Sequence, residues 1–186
     1  GHYSDTLCPR YRRGVFMGVK RGYRGEKTRT VCVCGCTDVG CFRRTSGTVC
    51  NGPRMEVGCG GGSFLRELSE TNHSDIAIGI DSNPAALEKA RSLHTGETTL
   101  AQADFHNLPF CDNSIACVIG LDAFDQRDVC LKSALVESRR VLKPAGILML
   151  RVSAYSWLLS EHDRAFGTGR RYSAREIGQS LGKAGF

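Results

Sequence analysis

The sequence predicts an α/β fold: a doubly wound parallel sheet of about five strands, preceded by an irregular Cys/Arg/Gly-rich segment. Three observations predict it. From Met55 onward, short apolar runs alternate with stretches of helical periodicity, the pattern of successive βαβ units. The first run ends in an almost pure glycine turn, Gly58-Cys59-Gly60-Gly61-Gly62. A long amphipathic stretch then closes at Arg140 and turns through Lys143-Pro144-Ala145-Gly146 into a last apolar run.

Upstream of Met55 the composition changes. Residues 1–54 carry 11 Lys/Arg against 3 Asp/Glu, whereas residues 55–186 carry 14 against 16. The basic excess therefore belongs to the first segment. That segment has one Leu, no Ile, nine Gly and six cysteines, with a single short apolar run at Val31–Val33. It cannot bury a core of its own. A basic arm of this kind can touch nucleic acid or an acidic membrane, but a solvated tail is the simpler reading, and no nucleic-acid partner is expected. Zinc could substitute for a core at Cys32, Cys34, Cys36, Cys41 and Cys50, although their spacing holds no C-x2-C knuckle. The favoured expectation for residues 1–54 is disorder or a non-native stretch. The remaining cysteines, Cys59, Cys111, Cys117 and Cys130, read as small buried apolar residues. No apolar run nears the roughly 18 residues needed to span a bilayer, and no signal peptide opens the chain. A cytoplasmic protein is the expectation.

The elements follow in order. Met55–Val57 ends a buried strand, and the glycine turn lets a ligand lie against bare backbone beside the amides that open the next helix. That helix runs from Ser63 to about Glu70 with Phe64, Leu65 and Leu68 on one face. Ile76–Ile80 is a second strand ending in Asp81, which lies 23 residues after Gly58. Asn83-Pro84 supplies the N-cap and first position of a helix to Leu93, leaving Asp81 available to a ligand. Thr98 to Phe105 reads as a third strand ending in Asp104, and Ala116–Leu121 as a fourth. Asp128–Leu142 is an amphipathic helix and Gly146–Val152 a fifth strand. Ser173 and Glu176 form a capping box for a helix from about Ala174.

A dinucleotide fingerprint would need a third glycine or alanine where Ser63 stands, which argues against a nucleotide-dependent oxidoreductase. What is present is acid-x-Gly-x-Gly-x-Gly, from Glu56 through Gly58, Gly60 and Gly62. This resembles motif I of the class I S-adenosylmethionine-dependent methyltransferases. Leu108-Pro109-Phe110-Cys111-Asp112-Asn113-Ser114 and Arg140-Val141-Leu142-Lys143-Pro144-Ala145-Gly146-Ile147-Leu148 resemble the type 11 branch of that family. So do Ala154-Tyr155-Ser156-Trp157-Leu158 and Arg170-Arg171-Tyr172 after the fifth strand. The chain departs from the pattern at Ala116, where an acid is usual, and at Gln126, where a histidine is usual.

The resemblance implies a Rossmann-like sheet, S-adenosyl-L-methionine as cofactor, and methyl transfer to a small-molecule acceptor. It places Glu56, Gly58, Cys59, Gly60 and Gly62 at the methionine moiety, and Asp81 with Ser82 at the ribose. Asp104 and Phe105 fall at the adenine, and Gly120 and Leu121 at the sulfonium side. His162, Arg171 and Tyr172 are candidates for the acceptor. His162, Asp163, Asp125 and Tyr172 are candidates for a base, with the alternative that His162 and the arginines form a satisfied loop cluster. The family carries two further strands after the last helix. Their absence would leave the Gly146–Val152 edge bare and the Ala174–Ala184 helix partly uncovered, so an inactive cofactor-binding fragment is the rival expectation.

Overall fold

A computed structural model describes residues 17–20, 30–33, 52–71, 76–93, 98–154, 157, 160–165 and 167–186. Among these, the strands are β1 (Met17–Lys20), β2 (Thr30–Val33), β3 (Arg54–Val57), β4 (Ala77–Asp81), β5 (Thr98–Gln102), β6 (Ile115–Leu121) and β7 (Leu142–Arg151). The helices are α1 (Ser63–Thr71), α2 (Pro84–Leu93), α3 (Leu131–Val141), α4 (Glu161–Ala165) and α5 (Ala174–Lys183). The strands form one sheet in the order β1-β2-β7-β6-β3-β4-β5. From β5 across to β7 every pairing is parallel. Strands β3, β4 and β5 step outward in one direction, then β6 returns to the other side of β3. The loop after β3 therefore lies at the reversal of strand order, where open α/β sheets bind their ligands.

Period-2 alternation splits the sheet into two buried faces. Met55, Val57, Ile78, Val118, Leu148 and Leu150 face one core with α3 and α5 residues such as Leu135, Ile177 and Leu181. Ala77, Cys117, Ile119, Ile147 and Met149 face the other, with Phe64, Leu65, Leu68 and Leu87 from α1 and α2. Both faces are covered, which is what near-continuous apolar strands require.

Three expectations are corrected here. The β7 edge is not bare: Thr30–Val33 lies parallel to Ile147–Leu150, and β1 adds antiparallel to β2. A strand edge offers a row of unpaired amides and carbonyls, and the Val31–Val33 run was the signal in the first segment that could fill it. The last helix is not uncovered either. Ile177, Leu181 and the terminal Phe186 are at most 7% exposed, packed into the α3-side core. Of the four domain cysteines, only Cys59 and Cys117 are buried; Cys111, in the loop before β6, and Cys130, at the N-cap of α3, are exposed. Residues 34–51, with Cys34, Cys36, Cys41 and Cys50, lie outside the described residues.

The Pro-x-Gly turn sits inside β7 rather than before it. Ile115 pairs with Leu142 and Cys117 with Ile147, so four residues loop out opposite one. Ala145 takes φ 65° in this loop. A Cβ on Gly146 would meet the Lys143 carbonyl oxygen at 2.9 Å and the Ala116 carbonyl oxygen at 3.1 Å, so the turn closes only on glycine.

Gly120 shows how tightly β6 is packed: a Cβ there would lie 2.3 Å from the Phe124 ring. Gly120→Ala should cost about 1–3 kcal/mol through overpacking. Leu181→Ala, emptying a site 1% exposed, should cost about 2–5 kcal/mol. Urea unfolding measures both; a Leu181→Ala loss within 0.5 kcal/mol of zero would mean that α5 does not seal the core.

Candidate functional site

The site grows from the β3–α1 turn. Gly58, Gly60 and Gly62 adopt φ of 68°, 53° and 78°, left-handed values that side chains rarely take. Their surroundings differ. A Cβ on Gly58 would lie 2.7 Å from the Ala123 Cβ, so Gly58 lets the β6–α3 loop come close. A Cβ on Gly60 would meet nothing within 4 Å, so that face of the turn opens outward. The Gly62 amide donates to the Cys59 carbonyl at 2.9 Å, and Arg66 N donates to the Gly62 carbonyl at 3.0 Å, carrying the turn into α1.

Asp81 fixes the turn from the end of β4. One carboxylate oxygen accepts from the Gly60 amide at 2.8 Å, the other from the Asn83 amide at 2.9 Å. Asn83 caps α2 through its own side chain, accepting from Ala85 N at 3.0 Å. The sequence reading that Asn83 is the cap holds, but Asp81 is not idle: it holds two backbone donors and retains lone pairs for a ligand. Ser82 is exposed beside it, its carbonyl accepting from Gln102 Nε2 at 3.1 Å.

Beneath the turn lies Glu56, 4% exposed, with Oε2 lacking any hydrogen-bond partner among the described residues. Burial pushes its pKa well above 4.5; the negative charge of Asp81 adds to this, while Arg151 and the Leu65 backbone oppose it. Burial likewise pushes the Cys59 thiol up to about 12, with Glu56 and Asp81 adding to it. Cys59 is therefore an inert thiol whose amide ties the turn to Ile80 O at 3.0 Å.

Asp104 sits beyond β5, with its side chain exposed. Its Oδ1 accepts from the His106 amide at 2.8 Å and lies 2.6 Å from His106 Nδ1. These contacts, the backbone one first, hold Asp104 below the usual carboxylate range. His106 Nε2 in turn accepts from the Cys130 amide at 2.9 Å, which turns Nδ1 toward Asp104. Sequence reasoning missed His106. Its signal was position alone, two residues after a strand-end acid. Phe105 is 9% exposed and packs on Phe124, ring centroids 5.8 Å apart. Its side chain is core, and only its backbone borders the rim.

At the ends of β6 and β7, Gly120 and Leu121 pair with Leu150 and Arg151. Asp122, held at φ 55°, clasps the Arg151 guanidinium through both carboxylate oxygens. Sequence reasoning missed Arg151, although it lies beside Asp122 on the neighbouring strand end. Asp125 is fully buried: Oδ2 accepts from Ser153 N at 2.7 Å and Oδ1 has no partner among the described residues. Burial, with Asp122 adding to it, raises its pKa against the Ser153 contacts.

The acceptor candidates divide. Arg171 is engaged at all three nitrogens, with Nη2 and Nε at 2.7 and 3.2 Å from Asp163 and Nη1 at 2.9 Å from Ala154 O. Asp163 also accepts from Ser160 N at 2.6 Å, and the Arg171 contact leads in holding its pKa down at about 2. Such a group is a poor proton acceptor; the pair straps the loop after β7. Tyr172 is 9% exposed with Arg170 stacked 5.1 Å over its ring. The His162 side chain lies outside the described residues. The turn, Asp81, Glu56 and the β6 and β7 ends are thus brought to one rim, with Asp104 at its β5 side.

Known proteins resemble this chain in sequence and in fold. The chain is 32% identical over 133 residues to malonyl-[acyl-carrier protein] O-methyltransferase 1 of Coxiella burnetii, a stretch covering 68% of this chain and 44% of that protein. The crystal structure of YcgJ from Bacillus subtilis superposes with a TM-score of 0.67 at 21% identity, covering 78% of this chain and 66% of the other. Phosphoethanolamine N-methyltransferase 2 of Haemonchus contortus, solved with S-adenosyl-L-methionine, has a TM-score of 0.63 at 20% identity and covers 80% and 36%. The chain spans between 28% and 44% of the length of the first curated relatives it matches. The family described as a methyltransferase domain matches residues 55–150, from the residue before Glu56 to the penultimate residue of β7. With more than half of its length inside that match, the chain belongs to the methyltransferase domain family.

Proposed function

We propose that residues 55–186 hold S-adenosyl-L-methionine and direct its methyl group to a small-molecule acceptor. One observation carries the reading: Glu56, buried beneath the glycine turn with an unpartnered oxygen, suits a cationic amino group and little else. An isolated buried carboxylate is costly unless a cation pairs with it. The open face of Gly60 leaves room for a ligand against the backbone. The remaining placements follow the rim. The backbone at Gly58, Cys59, Gly60 and Gly62 cradles the methionine moiety, and Asp81 with Ser82 takes the ribose hydroxyls. Asp104 and the Phe105 backbone meet the adenine, and Gly120 and Leu121 border the sulfonium.

The cofactor supplies an activated methyl group, so the chain's own task is positioning. Arg151 is drawn to Asp122 at the acceptor side, which keeps its charge from a bound sulfonium. Asp163 is excluded as a base by its pairing with Arg171. Asp125 is raised in pKa by burial and its Oδ1 has no partner among the described residues, but at 0% exposure it lies beneath the surface of the site rather than on it. The malonyl-[acyl-carrier protein] relative favours an acceptor with a carboxylate.

Isothermal titration should show S-adenosyl-L-methionine binding and no response to NAD; the reverse pattern would overturn the reading. Asp81→Ala should weaken the cofactor by about 1–3 kcal/mol, since Gly60 and Asn83 lose their shared acceptor. Glu56 gives a pH test. Its pKa is higher folded than unfolded, so its contribution to stability is full below about pH 4.5 and is lost as pH rises toward the raised value. Glu56→Gln, neutral throughout, should match the wild-type Tm near pH 4 and exceed it increasingly at higher pH. The expected gain is about 2–4 °C per kcal/mol of removed cost, and the same variant should bind the cofactor at least tenfold more weakly. A Tm difference that stays flat with pH would show that Glu56 is not buried as an acid.

A further inference from the structure

Away from the glycine turn, a groove of about 650 Å³ runs between the β6–α3 loop, the segment before α5 and α5 itself. Its size is that of a small-molecule site. Four cations line it: Arg127, Lys132, Arg170 and Lys183. They come from three different stretches of a region whose 14 basic residues are outnumbered by 16 acids, so their convergence is not the average surface. The single acid lining the groove is Glu176. Its carboxylate is already engaged, accepting from Ser173 N at 2.8 Å and from Arg170 at 2.7 Å. These contacts, led by the Ser173 backbone, hold its pKa at about 2. Among the described residues, no ion pair is formed by Arg127, Lys132 or Lys183.

The groove is shaped by close backbone approach. A Cβ on Gly169 would lie 2.4 Å from the Arg127 Cα, so only glycine lets the two loops meet. It also adjoins the chemistry. Gln126, on its wall, donates to the Asp122 carbonyl at 2.7 Å, just past the end of β6. Tyr172, on the opposite wall, bridges to Ala154 beyond the end of β7.

We propose that this groove binds the anionic portion, phosphate or carboxylate, of the small-molecule methyl acceptor, with Arg127, Lys132 and Lys183 as its charge partners. A cleft lined by one sign of charge concentrates ligands of the other, and guanidinium groups match the oxygens of both anions. The inference rests on the methyl-transfer reading for the role of the ligand, but not for its charge.

The test titrates the whole chain with inorganic pyrophosphate and, separately, with citrate, which distinguishes phosphate from carboxylate chemistry. Binding of either, weakening as salt rises and at least tenfold weaker in the Arg127→Ala/Lys132→Ala double variant, is the expected result. Both side chains are exposed, so the variant should fold, and S-adenosyl-L-methionine should bind it as tightly as wild type. If neither anion binds wild type, or the double variant binds as tightly, the groove is not an anion site. Binding to anionic phosphatidylserine vesicles through these residues, with no response to either small anion, would overturn it as well. Anion binding without any cofactor binding would leave the groove standing and remove the methyl-transfer reading instead.

Discussion

The site depends on one carboxylate. Asp81 ends β4, and its two oxygens hold the Gly60 amide and the Asn83 amide, joining the glycine turn after β3 to the start of α2. A stretch of five residues with four glycines would otherwise sample many conformations. The charge-assisted hydrogen bond from the Gly60 amide restricts it, while the bond from the Asn83 amide anchors the carboxylate that accepts it. The same carboxylate adds to the burial that raises the pKa of Glu56 beneath it. Holding the turn and tuning the acid below it are therefore one interaction.

Most of this was legible because the relevant signals are local. Apolar runs between amphipathic stretches specify buried parallel strands, and β3, β4 and β6 lie where the runs do; β5, Thr98–Gln102, is a partly exposed edge strand with only two apolar residues. Asn83-Pro84 and Ser173-x-x-Glu176 state their helix starts in the side chains that make the caps, and both caps form. The turn at Gly58–Gly62 states its own backbone requirement. Less legible were contacts set by tertiary packing. Nothing near Arg151 in sequence announces Asp122, and nothing near His106 announces the Cys130 amide. Arg171 looked like a substrate residue because the sequence cannot show that Asp163 and Ala154 already occupy it. Cys111 and Cys130 looked buried because cysteine usually is.

The β7 side shows a different limit. A strand pattern in residues 146–152 says that a neighbour is needed, not which segment supplies it. Thr30–Val33 meets that need from the opposite end of the chain, with Val31 opposite Leu148 and Val33 opposite Leu150. Its pattern is only four residues long, set in a stretch rich in Arg and Gly, and a run so short carries little weight on its own. Likewise the α5 face is sealed by Phe186, the last residue, which folds back so that its amide meets Leu181 O at 3.0 Å.

The way the glycine turn is closed has a kinetic meaning. Its fixing contact, Gly60 to Asp81, spans 21 residues, and the wall at Gly58 is Ala123 from the far side of the sheet. No contact within the turn can order it alone. The surface at its heart therefore assembles only after β3, β4 and β6 have docked, late on the folding route, because long loops must close first. A ligand seated there recognises the finished sheet and not its precursors. It acts on the lifetime of the native state rather than on the speed of reaching it.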